Sequence, residues 1–287
     1  MSVYLVTGAS GFVGRALVDR LRQRGATVIG LSTANGDIAD PATLRSHQTA
    51  SIDRIIHLAA RTFVPQSWSD PADFHRVNTS GTLNVLEFCR ERRIPLTYVS
   101  AYVYGQPIEQ PIKEDHPLVP NNPYALSKVL AEAACEFYAR VHSLPVTVVR
   151  PFNIYGAGQD PHFLIPTILR QVLWADEISV QDLAPRRDYL YIGDLLELLE
   201  TTPLAPPGYN VYNAGTGVSL SVADVIAAAQ AEAGTSKPVR SDQTRRAQEI
   251  GDTRACIEKA RTELGWTPRH GFRDGIRIVI GTMKETK

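Results

Sequence analysis

Tyr4-Leu5-Val6-Thr7-Gly8-Ala9-Ser10-Gly11-Phe12-Val13-Gly14 carries the chain from a short apolar run through a glycine-rich turn into a helical repeat. Tyr4–Val6 reads as a buried strand, and Val13, Leu17, Val18 and Leu21 then recur at helical spacing. Strand, glycine turn and helix, in that order, form the context a dinucleotide site requires. Gly8 permits the tight turn, Gly11 lets backbone N–H groups approach a pyrophosphate, and Gly14 lets the helix press on the strand. The open helix N-terminus attracts the phosphates. Three glycines also occur in plain βα turns, so the agreement of all three parts carries the reading.

The same alternation continues downstream. Strands are predicted at Val3–Val6, Thr27–Leu31, Arg54–Leu58, Leu96–Ser100 and Val146–Arg150, with helices near Gly14–Arg24, Val77–Arg92 and Tyr124–His142. Strands separated by helical stretches imply a parallel sheet with right-handed crossovers. The predicted fold is therefore α/β, a Rossmann-type doubly wound parallel sheet with a smaller mixed α/β C-terminal substrate lobe. After Arg150 the regularity fades and prolines gather at Pro161, Pro166, Pro185 and Pro203. The expected division is residues 1–152 for cofactor and 153–287 for substrate, with elements near 188–214 returning to the first sheet.

Composition narrows the function classes. The 287 residues are 44% hydrophobic and 21% charged, with formal net charge zero, ordinary for a globular protein with a sizeable core. No basic stripe appears, so no nucleic-acid partner is expected. No stretch approaches the ~18 apolar residues of a membrane span, and no signal peptide opens the chain. Cys89, Cys135 and Cys256 are scattered without C-x-x-C spacing. They read as small buried hydrophobes in a reducing, cytoplasmic setting, without zinc or disulfides. His57, inside an apolar strand, reads as a core histidine, and no metal site is expected.

The chemistry concentrates in Asn121-Asn122-Pro123-Tyr124-Ala125-Leu126-Ser127-Lys128. Asn122 suits a helix N-cap and Pro123 the first helical position. Tyr124 and Lys128 then share one helix face. A phenol normally titrates near ~10; an ammonium held close lowers that value and makes the tyrosine a proton shuttle. Tyr-x-x-x-Lys alone is common by chance. Ser100 strengthens it, because it ends the strand Leu96–Val99, and ligands of open parallel sheets sit beyond the C-terminal strand ends.

Together, the glycine turn, strand-end Ser100 and Y-A-L-S-K resemble the extended short-chain dehydrogenase/reductase family, specifically its NAD(P)-dependent nucleotide-sugar epimerase, dehydratase and reductase branch. Gly36–Ile38, His57–Ala60, N-T-S-G-T from Asn78, R-P-F-N-I-Y-G from Arg150, R-R-D-Y from Arg186, Arg245-Arg246 and E-L-G-W from Glu263 extend the resemblance to most of the chain. The resemblance implies that Gly8, Ser10, Gly11, Phe12, Val13 and Gly14 hold the cofactor pyrophosphate. Ser32 would stand by the ribose 2′ position, Asp37 and Ile38 would border the adenine, Ala59 and Ala60 would line the cofactor cleft, and Asn78 would lie near it. Tyr124 would be the acid/base, Lys128 would bind the nicotinamide ribose and tune Tyr124, and Ser100 would hold the sugar C4 oxygen. Asn153, Arg187 and Arg246 would contact the diphosphate of a nucleoside-diphosphate sugar, a task suited to guanidinium donors. Relatives pair through the helices Val77–Arg92 and Tyr124–His142, so a homodimer is expected.

Dehydratases of this branch look like S/T-D-E just before V-Y-G. Here those acidic positions are Ala101 and Tyr102, neither of which can carry an elimination. C4 epimerisation and 4-keto-6-deoxysugar reduction remain. The second strand ends at Ser32 without the acid that binds a ribose 2′-OH. Either NAD or NADP is expected, and Ser32, Thr33 and Asn35 tilt the choice to NADP, although that loop has no arginine. Two readings outside sugar chemistry stay open: a non-sugar alcohol dehydrogenase, whose substrate would leave Arg187 and Arg246 without a partner, and a catalytically silent cofactor-binding regulator, against which Ser100, Tyr124 and Lys128 stand.

Overall fold

The computed structural model describes residues 2–243 and 249–285. In chain order the first elements are β1 (Val3–Thr7), α1 (Phe12–Gln23), β2 (Thr27–Leu31), α2 (Pro41–Arg45), β3 (Arg54–His57), α3 (Val64–Ser69) and α4 (Pro71–Phe74). A π-helical stretch, His75–Ser80, leads into α5 (Gly81–Arg92), followed by β4 (Leu96–Val99), α6 (Pro123–His142) and β5 (Val146–Pro151). The remainder comprises β6 (Asn153–Tyr155), α7 (Leu164–Trp174), β7 (Ile178–Val180), β8 (Arg186–Tyr191), α8 (Ile192–Thr201), β9 (Tyr209–Ala214), β10 (Ser219–Ser221), α9 (Val222–Ala233), β11 (Val239–Ser241), α10 (Glu258–Leu264) and α11 (Phe272–Glu285).

Among the described residues, six strands form one parallel sheet in the order β2-β1-β3-β4-β5-β9. The chain leaves β1 toward β2, then returns to place β3 on β1's other side. That reversal opens a crevice beyond the strand tips, where α/β sheets bind ligands. Both faces are covered, which explains the nearly continuous apolar strands. One core joins Leu5, Ile55 and Leu96 to Val85, Leu86 and Cys89 of α5 and Ala131 and Cys135 of α6. The other joins Val6, Ile56 and Val149 to Leu17 and Leu21 of α1 and Leu195 and Leu199 of α8.

The returning elements are α8 and β9, whereas β8 belongs to a separate three-stranded sheet, β10-β8-β6, in the C-terminal part. Ala260 and Leu264 of α10 and the indole of Trp266 also pack into the α1–α8 core, although the boundary at 152 assigns them to the other lobe. Long-range apolar contact decides this, and it leaves no local mark in sequence. A third core, built from α7, α9 and α11 around Tyr155 and Tyr189, supports the mixed lobe. Among the described residues, no helix is long and apolar enough to cross a membrane.

Candidate active site

The glycine turn forms as its sequence demands. Gly8 adopts φ +70°, and a Cβ there would lie 2.7 Å from the Ala59 nitrogen. A Cβ on Gly14 would overlap the Gly8 carbonyl oxygen and stand 2.8 Å from its carbon. The first turn of α1 therefore rests on the backbone of the turn before it, and its N-terminus opens on the cleft without a side-chain cap. That cradle, which any side chain would fill, fits a dinucleotide pyrophosphate.

One continuous cleft of about 1770 Å³ runs from this turn to the C-terminal lobe. Ser10, Gly11, Phe12, Val13 and Gly14 line it, as do Ser32, Asp37, Ile38, Ala59 and Ala60. Ser100, Tyr124, Lys128, Asn153 and Arg187 line the same space. The fold thus brings together residues spread over most of the chain. Arg246 lies outside the described residues.

The catalytic candidates are held by local geometry. Asn122 caps α6, its Oδ1 accepting from the Ala125 N–H at 2.8 Å, with Pro123 in the first turn. This cap aims Tyr124 and Lys128 off the first turns of α6 toward the tip of β4. The Tyr124 ring meets Phe74 edge-on, with centroids 6.2 Å apart. The Ser100 N–H extends the ladder by donating to Val149 O at 2.8 Å. Its hydroxyl is buried without a hydrogen-bond partner among the described residues. Such an orphan costs on the order of 1–3 kcal/mol and is satisfied only by a ligand or water entering the cleft.

One electrostatic expectation is corrected. The Lys128 Nζ donates to Val99 O at 2.8 Å and lies 4.6 Å from the centroid of the Tyr98 ring. Burial pushes its ammonium down to about 8, against the pull of Glu132. Tyr124 is moved upward, above the usual phenol range, by burial. With the amine tied to a carbonyl and an aromatic face, desolvation of the phenol prevails over charge stabilisation of the phenolate. At pH 7 the pair is therefore a neutral phenol beside a cationic amine, poised to donate a proton.

Asn78 is a second correction, because it braces the cleft from behind and does not line it. Its Oδ1 accepts from the Arg61 N–H at 2.7 Å, and its Nδ2 donates to Arg61 O and to Ser127 Oγ at 3.0 and 2.9 Å. Ser127 in turn donates to Tyr124 O. The π-helical stretch His75–Ser80 accompanies this inward turn of Asn78; wide turns of this kind recur at functional sites. His57 belongs to the same support. Thr82 donates to Asn78 O at 2.6 Å, so its oxygen accepts from His57 Nε2 at 3.1 Å. His57 Nδ1 is then left to accept from Thr7 Oγ at 2.6 Å, and Thr7 accepts the N–H groups of Leu58 and Ala59. Fixed neutral and fully buried, His57 is the satisfied core histidine that the sequence indicates.

Burial, with help from the Lys128 charge, pushes His57 down to about 3. The unfolded chain therefore binds a proton below about 6.5 that the folded chain refuses, so this contribution falls as pH drops through that window. Relative to pH 7.5, the protein should lose about 2 kcal/mol at pH 5 from this group. Urea unfolding of wild type and His57→Asn at both pH values checks it; an equal acid slope in the two proteins would contradict the assignment.

Arg76, Phe63 and Glu249 also line the cleft, and the sequence does not single them out. Arg76 pairs with Asp37 and with Asp73, the latter at 2.7 Å. Phe63 faces Phe163 across the mouth, with centroids 6.4 Å apart. Glu249 pairs with Arg187, whose Nη1 also donates to Ile250 O at 2.6 Å. Asp37, Phe163 and Arg187 lie far in sequence from the residues they meet, so no local spacing signals those pairings. Tyr102 also lines this region, its phenol donating to Gly105 O at 2.5 Å, where an eliminating enzyme would need an acid.

Residues 4–215 match the NAD dependent epimerase/dehydratase family. The chain is 30% identical to the UDP-glucose 4-epimerase of Mycolicibacterium smegmatis over 312 residues, covering 96% of each. It is 31% identical to the GDP-6-deoxy-D-mannose reductase of Pseudomonas aeruginosa over 288 residues, covering 96% of this chain and 95% of that one. In structure it resembles RMD from Pseudomonas aeruginosa complexed with NADPH, with TM-score 0.92, 30% identity and full coverage of both chains. It equally resembles the UDP-glucose 4-epimerase of Thermotoga maritima with UDP-glucose, with TM-score 0.92, 25% identity and 99% coverage of both. With its glycine cradle, capped Tyr–Lys helix and strand-tip serine on one cleft, the chain belongs to the NAD dependent epimerase/dehydratase family, in the nucleotide-sugar branch of the extended short-chain dehydrogenase/reductase enzymes.

Proposed function

We propose that this enzyme reduces the C4 ketone of a nucleoside-diphosphate 4-keto-6-deoxysugar, with NADPH as hydride donor. The observation that carries the reading is the buried, unpartnered Ser100 hydroxyl, on the same cleft wall as Tyr124 and Lys128. When bound, the nicotinamide supplies the hydride. Ser100 Oγ donates to the substrate's C4 oxygen and orients the carbonyl. Tyr124, neutral at rest, gives its proton to that oxygen as negative charge develops. Lys128, cationic at pH 7, lends positive charge as the phenolate forms. Arg187 and Asn153, farther along the cleft, take the diphosphate; Arg187 releases Glu249 to do so. No acid at Ala101 or Tyr102 competes by eliminating water.

Reduction is preferred to C4 epimerisation because β2 ends without a carboxylate for the ribose 2′-OH. Residues 32–35 read Ser-Thr-Ala-Asn, which favours a phosphorylated, exchangeable cofactor. Native mass spectrometry separates the two readings: an empty or NADP-loaded site supports reduction, and a retained NAD supports epimerisation. For Arg187→Ala, KM for the nucleotide sugar should rise about tenfold or more, as for loss of one charge-assisted contact, with kcat nearly kept. An unchanged KM would remove Arg187 from substrate binding.

The same reading includes pairing of two copies. Leu126, Leu130, Phe137 and Val141 of α6 are each at least 41% exposed and fall on one face at helical spacing. Leu83 of α5 is exposed too. An apolar stripe of this size on a soluble enzyme is suited to burial against its own copy. Sedimentation should give a dimer for wild type and a monomer for Phe137→Glu; a monomeric wild type would contradict the pairing.

A further inference from the structure

We propose that Arg76 is the residue that recognises the 2′-phosphate of NADP(H), supplying from beside Asp37 the cation that residues 32–35 lack. The proposal rests on the cofactor reading above and deepens it. Four observations carry it.

The rim of the adenosine end is one continuous segment. The Asn35 N–H donates to Ser32 O at 2.9 Å, and Asn35 Oδ1 accepts both the N–H and the hydroxyl of Ser32, at 2.9 and 3.0 Å. This tight turn folds the tip of β2 back toward Gly36 and Asp37, and of this segment Ser32, Thr33, Gly36 and Asp37 line the cleft. A 2′-substituent of a bound adenosine faces the tip of the second strand. No carboxylate occupies residues 32–35, so nothing there demands a free 2′-OH.

Arg76 is tied to that rim by its ion pair with Asp37, and it lines the cleft. Of the cationic side chains lining the cleft, Lys128 is committed to the catalytic end and Arg187 to the opposite lobe. Arg61 is bonded to Asp73 at 2.7 Å. Arg76 is therefore the cleft-lining guanidinium that is ion-paired to the segment after β2; Arg15 and Arg22 line a second pocket with Ser32.

The guanidinium has donors to spare. Its Nε and Nη2 donate to Asp73 Oδ1 at 3.1 and 2.7 Å, and Nη1 donates to Asp37 Oδ2. Three of five N–H bonds are so used, which leaves two. The side chain is half exposed, so a phosphate can reach it without burial of an unpaired charge. A planar guanidinium matches phosphate oxygens with two parallel donors.

The structure also tolerates its removal. Asp73 retains Arg61 as a partner, and Asp37 retains the Ala39 N–H at 2.9 Å. Arg76→Ala consequently alters charge at the rim and leaves the cradle standing.

The test is a fluorescence titration of the full chain, wild type and Arg76→Ala, with NADPH and separately with NADH. The dissociation constant for NADPH should rise about tenfold or more, the scale of one lost charge-assisted pair, while that for NADH stays within about twofold. NADH binding reports directly that the variant is folded and its cradle intact. An equal loss for both coenzymes, or no loss for either, overturns the assignment and leaves the reductase reading in place. A wild-type chain that binds neither coenzyme overturns both together.

Discussion

Tyr124→Phe should turn over about 10²–10⁴-fold more slowly than wild type, the usual range for losing a general acid, while cofactor and nucleotide-sugar binding stay within about twofold. The substitution removes one oxygen and nothing else. The ring keeps its edge-on contact with Phe74, and α6 keeps its Asn122 cap. Lys128 stays bonded to Val99 O. What is lost is the neutral donor that burial maintains at pH 7. The developing alkoxide would then take its proton from Ser100 or water. Steady-state kinetics together with coenzyme titration checks the split between kcat and binding. Turnover at the wild-type rate would remove Tyr124 from the chemistry.

Gly14→Ala should weaken cofactor binding by at least about tenfold and cost roughly 1–3 kcal/mol of stability, the range for forced overpacking. The added carbon would stand 2.8 Å from Gly8 C and 2.9 Å from Ala9 Cα. These are backbone atoms, which no rotamer change relieves. The start of α1 must move off the turn, and the N–H groups that would grip a pyrophosphate move with it. Gly281→Ala is the matched control. A Cβ there meets nothing within 4 Å, and the position lies inside α11, so about 0.5–1 kcal/mol of stabilisation is expected. Thermal melts with and without NADPH distinguish the two variants. An unperturbed Gly14→Ala protein would mean that the helix does not depend on this close approach.

The contrast between those glycines shows where sequence was informative. Strands β1 to β5 could be read almost to their boundaries, because strands covered on both faces must be apolar and are punctuated by turns. The α6 start was legible for the same local reason: Asn122 and Pro123 announce it. Helix Val77–Arg92 was read as uniform, yet its first turn is widened. The cause is Asn78 bonding to Arg61 and Ser127, a tertiary preference invisible in helical spacing. Trp266 and α10 went to the far lobe for a comparable reason, since only the fold reveals that their apolar faces meet α1 and α8.

The site divides in the same way. Residues on the glycine turn and the strand tips line one cleft, a convergence legible because topology alone sends them to one crevice. The protonation states were not legible, because they depend on which partner each group meets. Lys128 was expected to act on Tyr124, and it is held by Val99 O and the Tyr98 ring. Arg76, 44 positions after Ser32 in sequence, reaches the adenosine rim only through its pairing with Asp37. The Glu249 partner of Arg187 is likewise 62 residues away.

A crystal structure of the enzyme with NADP⁺ and a nucleoside-diphosphate 6-deoxysugar would locate the reacting groups. The Tyr124 hydroxyl and the Ser100 hydroxyl should each lie within about 3 Å of the sugar's C4 oxygen, with the nicotinamide C4 facing the sugar carbon. A complex in which the Tyr124 oxygen lies more than about 8 Å from that oxygen, far beyond the reach of a proton donor, would contradict that placement.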